Sequence, residues 1–175
     1  AMLEVKPANM DPTRHPWLFV GESQLGGPGA DHVKFVTRNH DPTRSDNPES
    51  DIAAFREKAA EHGIGPNFIH GAYLTNLATA DPEHLQKGID TLTADMRLGS
   101  ALGVAGVIFH VGSHKGLGFD HYLSQMVGAM RRVLDDSPDD IALCIENNAG
   151  TGNSVGSSFV EIGRLIDAVG SERMR

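Results

Sequence analysis

The stretch GVIFHVGSHKG, residues 106–116, contains the pattern that decides the fold. A short apolar run ends on His110 and is followed by a polar, glycine-rich loop. Two other runs have the same form: NFIH ends on His70 and IALCIE ends on Glu146. Short, nearly unbroken apolar runs rich in β-branched or aromatic residues are typical of strands buried on both faces of a parallel sheet. The sequence therefore predicts strands that end on residues able to bind metal.

Segments with the periodicity of helices lie between and after these runs. The four segments with helical spacing of apolar residues are SDIAAFREKAAEHG (50–63), DPEHLQKGIDTLTADMRLGSALG (81–103), FDHYLSQMVGAMRRVLDD (119–136) and SSFVEIGRLIDAVG (157–170). Asp81 followed by Pro82 is a typical helix start, and Ser158 with Glu161 forms the pattern of a capping box. Alternating strands and helices predict an α/β fold with a parallel sheet, and an all-helical domain is less consistent with the β-branched runs.

Two further apolar runs, LFVG from residue 18 and VKFVT from residue 33, bring the number of predicted strands to five. Only about a dozen residues separate them, which is too short for a full helical crossover. We therefore expect the first helix to be shortened or missing. No boundary between domains is evident, so residues 1–175 are predicted to form a single domain.

The spacing of the three strand ends along the chain predicts that they lie close together in the fold. His70, His110 and Glu146 are 40 and 36 residues apart, about one strand-helix unit, so each should lie at the same carboxyl edge of the sheet, where parallel α/β folds bind ligands. Strand alternation places Ile108 on the same face as His110, and Cys144 on the same face as Glu146. Two imidazoles and one carboxylate suit zinc, manganese or iron with positions left for water.

Each of these residues alone has an ordinary explanation. A histidine at a strand end is often a simple hydrogen-bonded residue, and a carboxylate there can cap a helix or pair with arginine. The conjunction of three favours a metal site, because burying unpaired charge is costly. Cys144 is interpreted as a core residue, one layer below Glu146. The remaining histidines interpreted as surface or loop residues are His84, His114 and His121.

The composition excludes several classes of protein. The net charge is −8, with one cysteine and no apolar stretch of membrane-spanning length. An acidic chain does not match a module that coats nucleic acid through phosphate neutralisation. The lack of a disulfide framework and of secretory signal features predicts a cytoplasmic protein without a membrane partner.

Three segments together resemble the endonuclease IV family, the zinc-dependent apurinic/apyrimidinic endonucleases built on a xylose-isomerase-like TIM barrel. The segments are HGAYLTNLA (70–78), LGVAGVIFHVGSHKG (102–116) and CIENNAGTGNSVGSSF (144–159). The resemblance implies a DNA repair hydrolase that cleaves the phosphodiester 5′ to an abasic site in double-stranded DNA, with Zn²⁺, or alternatively Mn²⁺, as cofactor.

The resemblance also implies roles for individual residues. His70 and His110 resemble ligands of one zinc, and Glu146 resembles the catalytic carboxylate that bridges it to a second metal. Tyr73 and Leu74 resemble the pair that enters the duplex at the lesion, where the lost base has already lowered the cost of unstacking.

The sequence also departs from the family pattern. Val111 stands where the family has proline, and only Arg38 and Arg44 are candidates for the arginine expected after the second strand. Five strands cannot close an eight-stranded barrel. We therefore expect a partial (β/α)8 TIM barrel, corresponding to the N-terminal part of the family, with impaired activity and an open edge that favours self-association.

Two alternatives remain open at this point. A metal-dependent sugar isomerase or epimerase of the same barrel superfamily would also bind metal through histidine and glutamate at strand ends. It would need a closed polar pocket instead of an aromatic-leucine pair. A non-catalytic remnant of the fold would bind no metal.

Overall fold

The computed structural model describes residues 18–20, 34–37, 49–71, 75–148, 150 and 152–175. They form one five-stranded sheet in which the strands follow chain order. The strands are β1 (Leu18–Val20), β2 (Lys34–Thr37), β3 (Phe68–His70), β4 (Gly106–Phe109) and β5 (Ala142–Ile145). The helices are α1 (Glu49–Glu61), α2 (Pro82–Leu102), α3 (Phe119–Asp135) and α4 (Phe159–Val169).

The predicted fold class is confirmed as an α/β partial barrel, with one difference in strand direction. Strands β2 to β5 are parallel, and each of these strands is followed by a helix. Strand β1 is antiparallel to β2, whereas the sequence predicted parallel strands throughout. The reason is the length of the connection between the two strands, since a short link can join antiparallel neighbours but cannot cross over with a helix.

The helix ends follow their capping residues. Asp81 accepts hydrogen bonds from the backbone N–H groups of Glu83 and His84, and α2 ends at Gly103 in the left-handed conformation. Ser158 caps α4 by accepting from the Glu161 N–H. The Glu161 carboxylate accepts from the Gly156 N–H at 2.9 Å, so the predicted capping box forms only in part. These local bonds satisfy backbone groups that a helix end leaves open.

The hydrophobic core lies between the helices and one face of the sheet. Val107 and Phe109 of β4 are completely buried on this face, as is Leu143 of β5. Ile108 and Cys144, on the opposite face, are only half-buried. The predicted alternation along the strands is therefore confirmed, and the second face is the one that carries the candidate site.

The edge of the sheet beyond β5 is paired with residues near Arg175. Met174 lies parallel to Leu143. The Leu143 N–H donates to the carbonyl of Arg173, and the Ile145 N–H donates to that of Arg175. These residues thus occupy the position of a further parallel strand. Among the described helices, none has the length and apolar character needed to cross a membrane.

Candidate metal centre

The strand register brings His70, His110 and Glu146 to one face and one edge of the sheet. His70 pairs with Ile108 across β3 and β4, and Ile108 pairs with Cys144 across β4 and β5. His110 and Glu146 come two residues later on their strands, so they lie one layer above and point to the same side. The hydrogen bond from the Glu146 N–H to the Phe109 carbonyl, 2.9 Å long, extends the ladder to this layer.

The side chains of the three residues converge. The Nε2 atom of His70 lies 2.5 Å from Oε2 of Glu146, and Nε2 of His110 lies 3.5 Å from the same oxygen. The two imidazole rings meet edge to face with centroids 5.5 Å apart. One donor atom from each residue lies within 4.8 Å of the others. The grouping predicted from the sequence is therefore present in the fold.

The donor set fits a divalent transition metal. Zinc bonds of about 2.0–2.2 Å in a tetrahedral arrangement place two ligand atoms about 3.4 Å apart. The 3.5 Å separation of His110 and Glu146 matches this value. The contact of His70 with Glu146 is about 1 Å shorter, so the Glu146 carboxylate, which is 32% exposed, would have to move by that amount.

The orientation of the His70 ring gives a second test of fit. Its Nδ1 lies 3.1 Å from the carbonyl oxygen of Gly71, which can only accept, so Nδ1 carries the hydrogen of this bond. In a neutral ring, Nε2 then presents its lone pair to the Glu146 carboxylate. A proton or a metal cation must lie between these two acceptors. This is the arrangement in which metal-binding histidines are usually held.

The loop after β3 is attached to the loop after β4 through Asn76. The Oδ1 atom of Asn76 accepts from the N–H groups of Ser113 and Ala78, both at 3.0 Å, and its Nδ2 donates to the Ser113 carbonyl at 3.2 Å. The Leu77 N–H donates to the Val111 carbonyl at 2.8 Å. The two loops that follow the histidines are thus held in a fixed relative position.

The loop after β4 is attached in turn to the loop after β5. Ser113 pairs with Ser154, and the Ser113 hydroxyl donates to the Asn153 carbonyl at 2.9 Å. The Val155 N–H donates to the Gly112 carbonyl at 2.9 Å. The three loops therefore form one connected rim around the candidate site, which limits its opening.

The other residues singled out in the sequence differ in burial. They are Cys144, His84, His114 and His121. Burial raises the pKa of the Cys144 thiol and outweighs the opposing effect of the positive charge of Arg175, so the thiol remains protonated at neutral pH and is a poor ligand. His84 and His121 are exposed as predicted. His114 is half-buried, and its Nδ1 accepts from the N–H groups of Gly116 and Gly118, so it has a structural role in its loop.

The residues proposed to enter DNA, Tyr73 and Leu74, lie outside the described residues, as do Arg38 and Arg44. Sequence reasoning missed two polar residues beside the site, Asn76 and Asp95. Asn76 lies within the HGAYLTNLA segment, and this position was the sequence signal that could have identified it.

Asp95 is completely buried on α2. It occupies the helical stripe of Gly88, Leu92 and Gly99, which are all buried. The presence of an acidic residue on an otherwise apolar helical stripe was the sequence signal that could have identified Asp95 as buried.

Comparison with known proteins relates this chain to one family. The profile of the xylose isomerase-like TIM barrel family matches residues 28–175. A protein named probable endonuclease 4 from Natronomonas pharaonis is 34% identical over 119 residues, which cover 68% of this chain and 42% of that protein. The chain thus spans less than half of the length of this relative.

Solved structures with the same fold include two kinds of enzyme. Endonuclease IV from Thermus thermophilus is 25% identical, with a TM-score of 0.66 over 79% of this chain and 49% of that one. An L-ribulose 3-epimerase has a TM-score of 0.68 over 83% of this chain and 49% of that one, but only 18% identity. The second likeness concerns the fold alone.

Proposed function

Because the chain belongs to the xylose isomerase-like TIM barrel family, we propose that it represents a metal-dependent hydrolase of DNA phosphodiester bonds, of the endonuclease 4 type. The observation that carries this proposal is the convergence of His70, His110 and Glu146 at the carboxyl ends of three parallel strands. Its support from known proteins is the 34% identity to a protein named probable endonuclease 4.

The proposed substrate is double-stranded DNA that contains an abasic site, cleaved on the 5′ side of the lesion. His70 and His110 would hold a Zn²⁺ or Mn²⁺ ion through Nε2, and Glu146 would contribute its carboxylate between them. When bound there, such a metal would supply the polarisation of a phosphate and the activation of water near neutral pH. Divalent cations also present a local positive field to DNA that the net charge of −8 conceals.

The residues of this chain have distinct tasks in that reaction. The Gly71 carbonyl orients the His70 ring, so that the lone pair of Nε2 faces the Glu146 carboxylate. The rim around the site, joined through Asn76, keeps the two histidines at a fixed separation. Tyr73 and Leu74 lie between His70 and Asn76 in the sequence, and we propose that they contact the distorted duplex at the lesion.

Strand cleavage on a defined duplex tests this proposal. The substrate carries one tetrahydrofuran abasic analogue, which has no aldehyde and so excludes cleavage by β-elimination. We expect the zinc- or manganese-loaded chain to produce a 5′-labelled fragment with a 3′-hydroxyl that a polymerase extends. Glu146→Gln and His110→Asn should lower this activity at least 100-fold, whereas His84→Asn, at an exposed histidine of α2, should leave it unchanged.

Three results would contradict the proposal. The first is the absence of nicking above the level of Glu146→Gln when the metal content of the chain has been verified. The second is turnover of ketoses by the loaded chain without nicking, which would make it a sugar epimerase. The third is a chain that binds no zinc, manganese or iron, which would be a non-catalytic remnant of the fold.

We also propose that the chain self-associates and acts in the cytoplasm. A partial barrel leaves apolar inner residues such as Ile108 only partly buried, which favours self-association of the chain. Sedimentation equilibrium over a range of concentrations measures this directly, and a strictly monomeric chain would refute it. The single cysteine and the DNA substrate favour the cytoplasm as the place of action.

A further inference from the structure

The loop after β4 has an exposed tip on a base that is held by hydrogen bonds. Lys115 and Leu117 form the tip, and the Leu117 side chain is 59% exposed. At the base, the His114 N–H donates to the Asn153 carbonyl at 2.9 Å, and the His114 carbonyl accepts from the Leu117 N–H at 3.0 Å. Because this loop begins directly after His110, its tip lies at the rim of the candidate metal centre.

The backbone of Lys115 lies in the left-handed region, with a φ of 47°. It is the only residue other than glycine with a positive φ in the described part of the chain, whereas Gly116 and Gly118 in the same loop also have positive φ. A side chain in this region crowds the following carbonyl oxygen, so lysine costs free energy here that glycine would not. Strained residues of this kind are concentrated at functional sites. The strain is therefore evidence that the lysine side chain has a task.

The surrounding hydrogen bonds keep this conformation in place. The Nδ1 atom of His114 accepts from the N–H groups of Gly116 at 3.2 Å and Gly118 at 3.1 Å. On the other side, the Lys115 N–H lies 3.4 Å from the Ser113 hydroxyl. Residues before and after Lys115 are thus bonded, so the point from which its side chain extends is fixed.

The charge of Lys115 has no ion-pair partner among the described residues, because none of their carboxylate oxygens lies within 4.0 Å of its Nζ. The acidic groups at the start of the neighbouring helices are bound elsewhere. Asp120 contacts Arg164 at 2.6 Å, and the Glu161 carboxylate accepts from the Gly156 N–H at 2.9 Å. An ammonium group without such a partner can bind an external anion, and lysine binds phosphate as a point charge.

We propose that Lys115 binds a backbone phosphate of the DNA duplex, next to the phosphate that lies at the metal centre. Double-stranded DNA carries one negative charge per about 1.7 Å of helix axis, so a duplex bound over His110 presents further phosphates to the loops around it. The contact fixes the position of the duplex without reading its sequence. The inference rests on the proposed function, because it takes double-stranded DNA as the ligand.

Fluorescence anisotropy of a labelled, undamaged duplex measures this contact without cleavage. The zinc-loaded chain is titrated at salt concentrations between about 50 and 200 mM, and the slope of log K against log[salt] is determined. One phosphate contact contributes about 0.9 to this slope, so Lys115→Asn should reduce it by about 0.9. If the contribution vanishes at about 1 M salt, binding should weaken about 15-fold at about 50 mM and about 4-fold at about 200 mM.

The variants separate the charge of Lys115 from the shape of the loop. Asparagine is among the residues that tolerate the left-handed region, so Lys115→Asn removes the charge and keeps the backbone. Lys115→Arg keeps the charge and should retain the affinity and the slope of the wild type. The matched control is Lys58→Asn, in the last turn of α1 and therefore near the amino ends of the strands, opposite the site; it should alter neither quantity. Should Lys115→Asn fail to fold, Lys115→Gly replaces it, because glycine adopts a positive φ without strain.

Several results would overturn the inference. They are a wild-type slope and affinity in Lys115→Asn, a loss of affinity in Lys115→Arg as large as in Lys115→Asn, and a wild-type chain that binds no duplex. If the chain nicks the abasic duplex but Lys115→Asn binds DNA as the wild type does, the proposed function is supported and the role of Lys115 is refuted. If the slope depends on Lys115 but the metal-loaded chain nicks no lesion, the role of Lys115 is supported and the proposed function is refuted.

Discussion

Replacing Asn76 by alanine should destabilise the chain more than any comparable change at a surface amide. The side chain of Asn76 makes three hydrogen bonds, two as acceptor and one as donor. All three are part-buried, and the two with Ser113 connect the loop after β3 to the loop after β4. The truncation leaves two N–H groups and one carbonyl to find other partners.

The expected magnitude follows from these bonds. Each contributes about 1 kcal/mol net, and an N–H group left buried without a partner costs about 1–3 kcal/mol. Partial access of water to the loops reduces the upper end, so we expect a loss of about 2–4 kcal/mol in the free energy of unfolding. For a chain of this length, 1 kcal/mol corresponds to about 2–4 °C in Tm, so the expected fall is about 4–16 °C.

Urea unfolding followed by circular dichroism measures this loss, with the m-value checked for constancy. The matched control is Gln86→Ala, which removes two hydrogen bonds to Asp90 and Arg132 at the exposed surface of α2. It should change stability by no more than about 0.5 kcal/mol. If Asn76→Ala and Gln86→Ala lower the free energy of unfolding equally, the proposed connection between the loops is wrong.

Three other perturbations test the packing around the sheet, and a fourth tests the cysteine. In Gly106→Ala, the new Cβ would lie 2.9 Å from both the Ala142 carbonyl oxygen and Cys144 Sγ, so urea unfolding should show a loss of about 1–3 kcal/mol. In Gly128→Ala nothing lies within 4 Å of the new Cβ, so the same assay should show a gain of about 0.5–1 kcal/mol in the free energy of unfolding. A loss of stability in this variant would contradict the assignment of residue 128 to α3. Leu92→Ala should lower stability by about 2–5 kcal/mol, because the side chain is completely buried; a loss below about 1 kcal/mol would place it outside the core. Since burial raises the pKa of Cys144, iodoacetamide should modify this thiol more slowly at pH 8 than it modifies a free thiol, and the rate should rise at higher pH. A reaction faster than that of a free thiol would refute the raised pKa.

Much of the fold could be predicted from local sequence features. Two of the helices carry their limits in the sequence: α2 has the Asp81 cap and the left-handed Gly103, and α4 has the Ser158 cap and the left-handed Gly170. Strand alternation placed Val107 and Phe109 in the core, and it placed His110 on the opposite face. These features depend on backbone geometry and side-chain periodicity, which act over a few residues and are therefore readable without the fold.

The spacing of His70, His110 and Glu146 was sufficient to predict their grouping, because parallel strands separated by one helix return to the same edge of the sheet. Their roles as metal ligands remain proposals. The antiparallel direction of β1 was not predicted, although the short link to β2 was the reason for it. Strand direction depends on whether the link is long enough to cross over to a parallel position, so the short link was a signal that the sequence already contained.

The contacts of Asn76 and Asp95 were decided by the tertiary structure alone. Asn76 joins loops whose sequences lie 37 residues apart. Asp95 comes against Gly71 because α2 packs over the junction of β3 and β4. A polar residue on a helix or loop has many possible partners in the sequence, and only packing selects one of them. The sequence by itself therefore determined the elements and the chemistry at the strand ends, while the packing of helices and loops determined which polar groups support that chemistry.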